Sequence, residues 1–154
     1  MKNLFALIIA LAFITCSKKN NTACAPVSPS AESGKIVNFC NTNGITYTVD
    51  SNGIYYQVIT PGSGTIPTIN SVITVTYTTA TLDGKVLEDK STTPVTLPLN
   101  QFIEGWRLAI PYIQQGGHIK MVLPSSLAYG CTGISNFVAP NSPLYYDVIL
   151  IDVQ

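Results

Sequence analysis

Short runs of β-branched and aromatic residues, separated by turn residues, fill most of the chain beyond residue 45. Such runs are typical of β-strands, because branched and aromatic side chains pack well on a pleated surface. In the clearest run, residues 71–80, the side chains of Ile73, Val75 and Tyr77 alternate with threonines and are expected on the inward face. Strands are predicted in this way at residues 45–49, 54–60, 71–80, 95–99, 118–123 and 144–153. The chain therefore predicts a domain built mainly from a sheet.

A single helical pattern interrupts this series, at residues 105–113. Trp106, Ile110 and Ile113 recur at spacings of four and three, which places them on one face of a helix. Pro111 limits this helix to about two turns, because proline has no N–H to donate to the carbonyl four residues earlier. We therefore predict an α+β fold, in which a five- or six-stranded antiparallel sheet packs on one short α-helix.

The N-terminal segment has the features of a targeting sequence and is not counted as fold. Lys2 precedes an unbroken apolar run over residues 4–14, which is too short to span a bilayer. The run ends before Cys16, and this arrangement resembles the site at which bacterial lipoprotein precursors are cleaved and acylated. We predict a signal peptide over residues 1–15 and lipidation at Cys16, whose acyl chains would hold the mature protein at a membrane. The alternative is ordinary secretion with cleavage near Ala23, which removes Cys16.

Residues 16–43 are rich in Asn, Ser, Ala, Pro and Thr and show little apolar periodicity. This composition predicts a flexible tether that follows the lipidated cysteine. The folded domain is then expected to occupy residues 44–154. A chain of 154 residues is long enough for one domain with a substantial core and too short for two.

Three further cysteines, Cys24, Cys40 and Cys131, lie in no CxxC motif, and the chain has one His. This spacing argues against a zinc site and against a thioredoxin-like redox motif. In an oxidising compartment Cys24 and Cys40 could pair across the tether and leave Cys131 single. Alternatively, all three are isolated thiols.

The charge of the chain is low and balanced. Eight Lys and Arg residues balance eight Asp and Glu residues, and charged residues make up 10% of the chain. Without a basic surface patch the chain has no electrostatic footprint for phosphate backbones, so nucleic acid is excluded as a partner. No motif indicates a cofactor or a metal.

Six sequence blocks occur in a fixed order along the predicted domain. They cover residues 53–58, 72–78, 82–87, 102–106, 123–130 and 139–148. The most specific are Ile103-Glu104-Gly105-Trp106 and Leu127-Ala128-Tyr129-Gly130. In this order and spacing the blocks resemble the FKBP-type peptidyl-prolyl cis-trans isomerases over roughly residues 53–153. The resemblance implies a sheet wrapped around a short helix, with a shallow aromatic pocket between them that takes a prolyl ring.

The resemblance also implies roles for ten residues of that pocket. Tyr129 matches the hydroxyl that bonds the substrate carbonyl, and Tyr77 and Glu88 complete the predicted catalytic set. Trp106 matches the pocket floor. The predicted substrate-binding residues are Trp106, Ile103, Phe102, Tyr146, Leu87, Val95 and Phe137. From periodicity alone, several of these aromatic and aliphatic residues would be assigned to the core of a small sheet domain.

The implied reaction suits these residue types. Rotation about an X-Pro bond meets a barrier of about 18–20 kcal/mol because amide resonance must be lost, and no bond to carbon is made or broken. No nucleophile or paired carboxylate is needed, so a water-poor apolar pocket and one fixed hydroxyl donor suffice. His118, the single His, is expected to be a strand residue and not a base.

Four residues depart from the family pattern. Leu87-Glu88 stands where the family usually has Phe-Asp, Val95 stands where a pocket Phe is common, and Thr79 replaces a usual Gly. Fewer rings leave less apolar contact for a substrate. The predicted function is prolyl isomerisation that assists the folding of extracytoplasmic proteins. The alternative is a catalytically weak chaperone or adaptor that binds proline segments, and a structural envelope lipoprotein is a third reading.

The same resemblance implies the partners and the location. Proline-containing polypeptides are the expected substrates, and the lipid is the expected link to a membrane. The protein is expected to be a monomer in the cell envelope of a bacterium, facing the periplasm or the exterior.

Overall fold

The computed structural model describes residues 24–154. The predicted signal peptide and the predicted lipidation site at Cys16 lie outside the described residues. None of the helices within residues 24–154 combines the length and the hydropathy needed to cross a bilayer.

Two α-helices and seven strands form the described part of the chain. In chain order they are α1 (Pro29–Thr42), β1 (Thr48–Val49), β2 (Tyr55–Thr60), β3 (Val72–Thr81), β4 (Val86–Asp89), β5 (Val95–Pro98), α2 (Glu104–Ala109), β6 (His118–Leu123) and β7 (Leu144–Val153). Short 3₁₀ turns precede α2, follow α2 and follow β6, at Leu99–Gln101, Ile110–Tyr112 and Ser125–Leu127 respectively.

All strands join one antiparallel sheet in the order β1-β2-β6-β7-β3-β4, with β5 also paired to β3. The predicted α+β class with an antiparallel sheet is confirmed. The strand count is seven because Val86–Asp89, in which two of four residues are acidic, forms β4 through its pairing with β3. Gly84 makes the connecting turn with a φ of +90°, a conformation that favours glycine.

The long strands β3 and β7 form the centre of the sheet. Ile73 and Val75 are fully buried and Tyr77 is half-buried on the same face, as the alternation in β3 predicts. These side chains join those of α2 in the main core. The largest side chains buried there are Ile54, Ile73, Leu99, Trp106, Ile110, Ile113, Ile119, Met121, Leu123, Leu144 and Leu150.

Helix α2 is short for the reason that the sequence suggests. The α-helix ends at Ala109, and the chain continues as a 3₁₀ turn that contains Pro111. The helix packs closely on β6, because a methyl group at Gly105 would overlap the side chain of Leu123. Trp106 is thereby fixed against the sheet, with 2% of its surface exposed.

The prediction of a flexible tether was wrong for residues 29–42, which form α1. This helix covers the opposite face of the sheet, where Ile36, Phe39 and Cys40 are buried against residues of β2, β6 and β7. The rings of Phe39 and Tyr145 lie 5.3 Å apart. A helix with so few apolar residues gains most of its stability from tertiary packing, and its own composition does not reveal that packing.

Both readings of the cysteines were also wrong. Cys24 forms a disulfide with Cys131, with their Cα atoms 5.3 Å apart, and Cys40 is a buried free thiol. The bond joins the segment before α1 to the loop between β6 and β7. The domain therefore begins well before residue 44.

Candidate active site

A cavity of about 200 Å³ opens between α2, the inner face of β3 and β7, and the β6–β7 loop. All ten residues that the sequence singles out for the pocket line it. They are Tyr77, Leu87, Glu88, Val95, Phe102, Ile103, Trp106, Tyr129, Phe137 and Tyr146. Five further lining residues were not assigned to the site from the sequence: Thr79, Leu97, Gln101, Val138 and Leu144. The alternation of β3, β5 and β7 could have identified Thr79, Leu97 and Leu144, whereas no periodicity marks Gln101 and Val138.

Aromatic rings form the floor of the cavity around Trp106. Phe102 stacks on the indole with ring centroids 4.8 Å apart and planes within 7°. Tyr77 and Tyr146 meet the indole edge-to-face, at 5.2 Å and 5.5 Å. Edge-to-face and offset contacts of this kind are the favoured arrangements of aromatic pairs. The orientation of Trp106 is therefore held by three neighbouring rings as well as by its own helix.

The one carboxylate that lines the cavity is bound by a phenol. The hydroxyl of Tyr77 donates a 2.8 Å hydrogen bond to Oε2 of Glu88. Burial and the nearby Glu88 carboxylate raise the pKa of Tyr77 well above its usual value. Tyr77 is therefore a neutral donor at any physiological pH, and it holds the Glu88 side chain against the cavity wall.

Tyr129 reaches the cavity from the loop between β6 and β7 and is half-buried there. Burial raises the pKa of the Tyr129 hydroxyl, while a hydrogen bond from Tyr146 lowers it in part. Burial is also the largest cause of a strongly raised pKa at Tyr146, which lies almost wholly inside the core. Tyr129 lines the cavity, so its neutral hydroxyl can donate a hydrogen bond to a ligand there.

Hydrogen bonds within the loop fix the backbone on both sides of Tyr129. The carbonyl of Ser125 accepts from the N–H groups of Ala128, at 3.0 Å, and Gly130, at 2.7 Å. The carbonyl of Tyr129 accepts from the N–H of Gly133 at 3.0 Å. Gly130 takes a φ of +57°, which a residue with a Cβ adopts only at a cost. Glycine at position 130 therefore favours the loop shape that presents Tyr129.

The rim of the cavity is apolar but has few rings. Leu87 and Val95 are half-buried aliphatic residues, and Phe137 contributes a ring that is 40% exposed. A ligand can therefore gain apolar contact at the rim and stacking at the floor. His118 lies on β6, where Nε2 is 2.5 Å from Oδ1 of Asp147, and it does not line this cavity.

The lining can provide an apolar environment, one phenolic donor and no nucleophile. Besides the tyrosines, Glu88 is the one ionisable residue that lines it, and its oxygens face Tyr77 and Lys90. Such a site suits binding of a compact apolar group next to a carbonyl oxygen.

Comparison with known proteins agrees with this geometry. A sequence model of the family described as FKBP-type peptidyl-prolyl cis-trans isomerase matches residues 64–151. The chain belongs to this family. The match covers the strands and loops that supply the cavity lining, so the cavity lies where the FKBP domain is recognised.

Curated relatives carry the same family name. The chain is 38% identical over 106 residues to the FKBP-type peptidyl-prolyl cis-trans isomerase FkpA of Escherichia coli strain K12, covering 68% of this chain and 39% of the relative. It is 35% identical over 106 residues to the peptidyl-prolyl cis-trans isomerase Mip of Coxiella burnetii, covering 68% of this chain and 46% of the relative. The chain spans less than half the length of these relatives.

Solved structures share the fold. The crystal structure of FkpA from Escherichia coli superimposes with a TM-score of 0.72 at 32% identity, covering 82% of this chain and 61% of the other. A peptidyl-prolyl cis-trans isomerase from Pseudomonas syringae superimposes with a TM-score of 0.70 at 27% identity, covering 84% of this chain and 98% of the other. The FKBP fold thus accounts for most of the described residues.

Proposed function

We propose that this protein catalyses the cis-trans isomerisation of X-Pro bonds in polypeptides. The observation that carries the proposal is the aromatic cavity of an FKBP domain, with Trp106 at its floor and the Tyr129 hydroxyl at its rim. A prolyl ring is a compact apolar group, and the carbonyl that precedes it in the chain lies within reach of a rim donor.

The cavity lowers the rotation barrier in two ways. The planar amide carries more charge separation than the twisted amide, so transfer from water to an apolar cavity favours the twisted form. The Tyr129 hydroxyl holds the carbonyl oxygen while the bond turns, and its position is fixed before the substrate arrives. Tyr77 and Glu88 keep the wall of β3 and β4 in place through their hydrogen bond.

The proposed setting is the cell envelope of a bacterium. The predicted signal peptide over residues 1–15 and the predicted lipid at Cys16 would hold the domain at a membrane, facing the periplasm or the exterior. The Cys24–Cys131 disulfide supports an oxidising compartment. In that setting the protein would assist the folding of extracytoplasmic proteins as a monomer, since isomerisation of proline limits folding on a scale of tens of seconds.

The test of activity is the cis-to-trans conversion of a Leu-Pro or Phe-Pro tetrapeptide by the full chain. The full chain is used because it keeps Cys24, which forms the disulfide, and the whole of α1. We expect acceleration by the wild type, a large loss in Trp106→Ala and a loss of about tenfold or more in Tyr129→Phe. Tyr47→Phe, a half-buried tyrosine outside the cavity, is the matched control and should retain activity.

A folded wild type that does not accelerate the conversion would contradict the proposal. Binding of the same peptide without turnover would then favour the alternative, a chaperone or adaptor for proline segments. The thin rim at Leu87 and Val95 is the feature on which that alternative rests.

The proposed anchor has a separate test. Mass spectrometry of the mature protein from a bacterial host should find an acylated cysteine at residue 16, and Cys16→Ser should release the protein from membranes. A mature N-terminus just after Ala23, without acylation, would show ordinary secretion and contradict the anchor.

A further inference from the structure

We propose that Glu32 is a positioning residue, through which α1 holds the loop that carries Tyr129. Glu32 lies in the first turns of α1, outside the family match at residues 64–151. It is 4% exposed, and its Oε2 accepts a 2.8 Å hydrogen bond from the backbone N–H of Ser125. This inference rests on the proposed function, because it concerns the placement of the proposed donor.

Ser125 is the residue from which the rest of the loop is organised. Its N–H is held by Glu32, and its carbonyl accepts from the N–H groups of Ala128 and Gly130, the two neighbours of Tyr129. The carbonyl of Gly130 in turn accepts from the N–H of Asn141 at 2.8 Å. One carboxylate therefore fixes the peptide at the start of a hydrogen-bonded frame that encloses Tyr129.

The segment around α1 holds the same loop at further points. Cys24 is bonded to Cys131, two residues after Tyr129. The side-chain amide of Asn141 donates to the carbonyl of Ala25 at 3.4 Å. The loop is thus attached near its start, its middle and its end to residues 24–32. Among these attachments, Glu32 is the one that acts on the turn leading directly into Tyr129.

The surroundings of Glu32 indicate that position 32 requires a side chain with a hydrogen-bond acceptor. No Lys, Arg or His forms a salt bridge with Glu32 in the described part of the chain, and its Oε1 is buried without a hydrogen-bond partner there. A buried carboxylate without a counter-ion is costly, and an apolar side chain would fill the same space without that cost. Attachment of α1 to the sheet is already provided by Ile36 and Phe39. What Glu32 adds is the hydrogen bond to Ser125.

The test compares substitutions that keep or remove an acceptor at this position in the full chain. Glu32→Gln keeps an oxygen at the same reach, Glu32→Asp withdraws it by one methylene, and Glu32→Met fills the space without an acceptor. Lys35→Met, on the exposed face of α1, is the matched control. Amide hydrogen exchange of residues 125–130 and of strands β3 and β7 is measured, together with kcat and KM for a Leu-Pro tetrapeptide.

We expect Glu32→Met and Glu32→Asp to speed exchange in residues 125–130 and to lower kcat, each by about tenfold, with KM nearly unchanged. Exchange in β3 and β7 should stay as in the wild type, and Glu32→Gln and Lys35→Met should match the wild type. If Glu32→Met does not fold, the proposal is tested by comparing the exchange rates and kcat of Glu32→Asp with those of Glu32→Gln. Wild-type exchange and kcat in both the Met and the Asp variants would overturn the proposal.

Two other outcomes are distinguishable. A loss in kcat that accompanies faster exchange throughout β3 and β7 would mean that Glu32 acts only on global stability, which also overturns the proposal. If the wild type itself shows no turnover, the proposed function fails, and the exchange rates of residues 125–130 alone decide whether Glu32 orders the loop.

Discussion

The hydroxyl of Tyr77 on β3 donates a 2.8 Å hydrogen bond to Oε2 of Glu88 on the neighbouring strand β4. The ammonium group of Lys90 lies 3.7 Å from the other carboxylate oxygen of Glu88. The one carboxylate that lines the cavity is therefore engaged on both oxygens. Tyr129 is left as the phenol at the rim whose proton is available to a ligand.

Replacing Tyr77 by Phe tests whether this pair shapes the cavity. Because a hydrogen bond to a partly exposed carboxylate is lost, we expect the free energy of unfolding to fall by about 1 kcal/mol. We also expect kcat/KM for a Leu-Pro tetrapeptide to fall several-fold, since Glu88 is no longer held. Tyr112→Phe is the matched control, because Tyr112 donates a 2.7 Å hydrogen bond to Asp50 outside the cavity. Equal effects of the two variants on kcat/KM would contradict the prediction.

Adding rings at the rim tests whether the aliphatic side chains limit substrate binding. In the double variant Leu87→Phe, Val95→Phe we expect KM for a Phe-Pro tetrapeptide to fall about fivefold, because an aromatic contact contributes roughly 1 kcal/mol beyond simple burial. Val86→Phe places a ring on a side chain that is 60% exposed and does not line the cavity. An equal gain in Val86→Phe would show that the effect is not specific to the cavity.

The hydroxyl of Tyr146 is predicted to lower the pKa of Tyr129. A hydrogen bond from Tyr146 stabilises the ionised form of Tyr129, so Tyr146→Phe should raise the pKa of Tyr129 further and weaken it as a donor. NMR of ¹³C-labelled tyrosine during a pH titration measures this change, and kcat should fall by about threefold. The control is Tyr145→Phe, whose hydroxyl donates to Asp147 on the opposite face of the sheet. An unchanged Tyr129 titration in Tyr146→Phe would refute the link.

The Cys24–Cys131 disulfide is predicted to be a large contributor to stability. It closes a loop over a sequence separation of 107 residues, and the chain-entropy model assigns about 5 kcal/mol to a loop of that size. Dithiothreitol should therefore lower the Tm of the wild type. It should not change the Tm of the double variant Cys24→Ser, Cys131→Ser.

Peptide mapping after alkylation provides the control for that experiment. Burial raises the pKa of Cys40 to about 11, so little thiolate is present at pH 8. In the reduced but folded chain, iodoacetamide should label Cys24 and Cys131 and spare Cys40 until denaturant is added. A Cys24–Cys40 crosslink in the unreduced protein would contradict the pairing described above.

Much of the fold was predictable because burial leaves a local trace in the sequence. The alternation of Ile73, Val75 and Tyr77 in β3 follows from a strand with one buried face. The short helix is predicted by the spacing of Trp106, Ile110 and Ile113, but it ends at Ala109, and Pro111 lies in the 3₁₀ turn that follows. Strand β4 was not predicted, because its four residues, two of which are acidic, show no alternation of apolar and polar side chains.

The ten cavity residues were also predictable, but for a different reason. Periodicity alone does not separate a pocket residue from a core residue, because Trp106 and Tyr146 are both buried and both line the cavity. Their order and spacing along the chain distinguish them, since that pattern belongs to the FKBP family. Val138 and Gln101 lie in segments without that pattern, and their place in the lining depends on how the loops fold.

The sequence by itself determined six of the seven strands, the presence of the short helix and the set of residues around Trp106. Only the tertiary structure decided that residues 29–42 form a helix, that Cys24 pairs with Cys131 and that Glu32 reaches Ser125. The physical reason is that periodicity records which face of a segment is buried. The disulfide and the Glu32–Ser125 hydrogen bond instead join groups 93 or more residues apart in the chain, and α1 depends on a surface formed by three other strands. Such partners meet only when the sheet has formed.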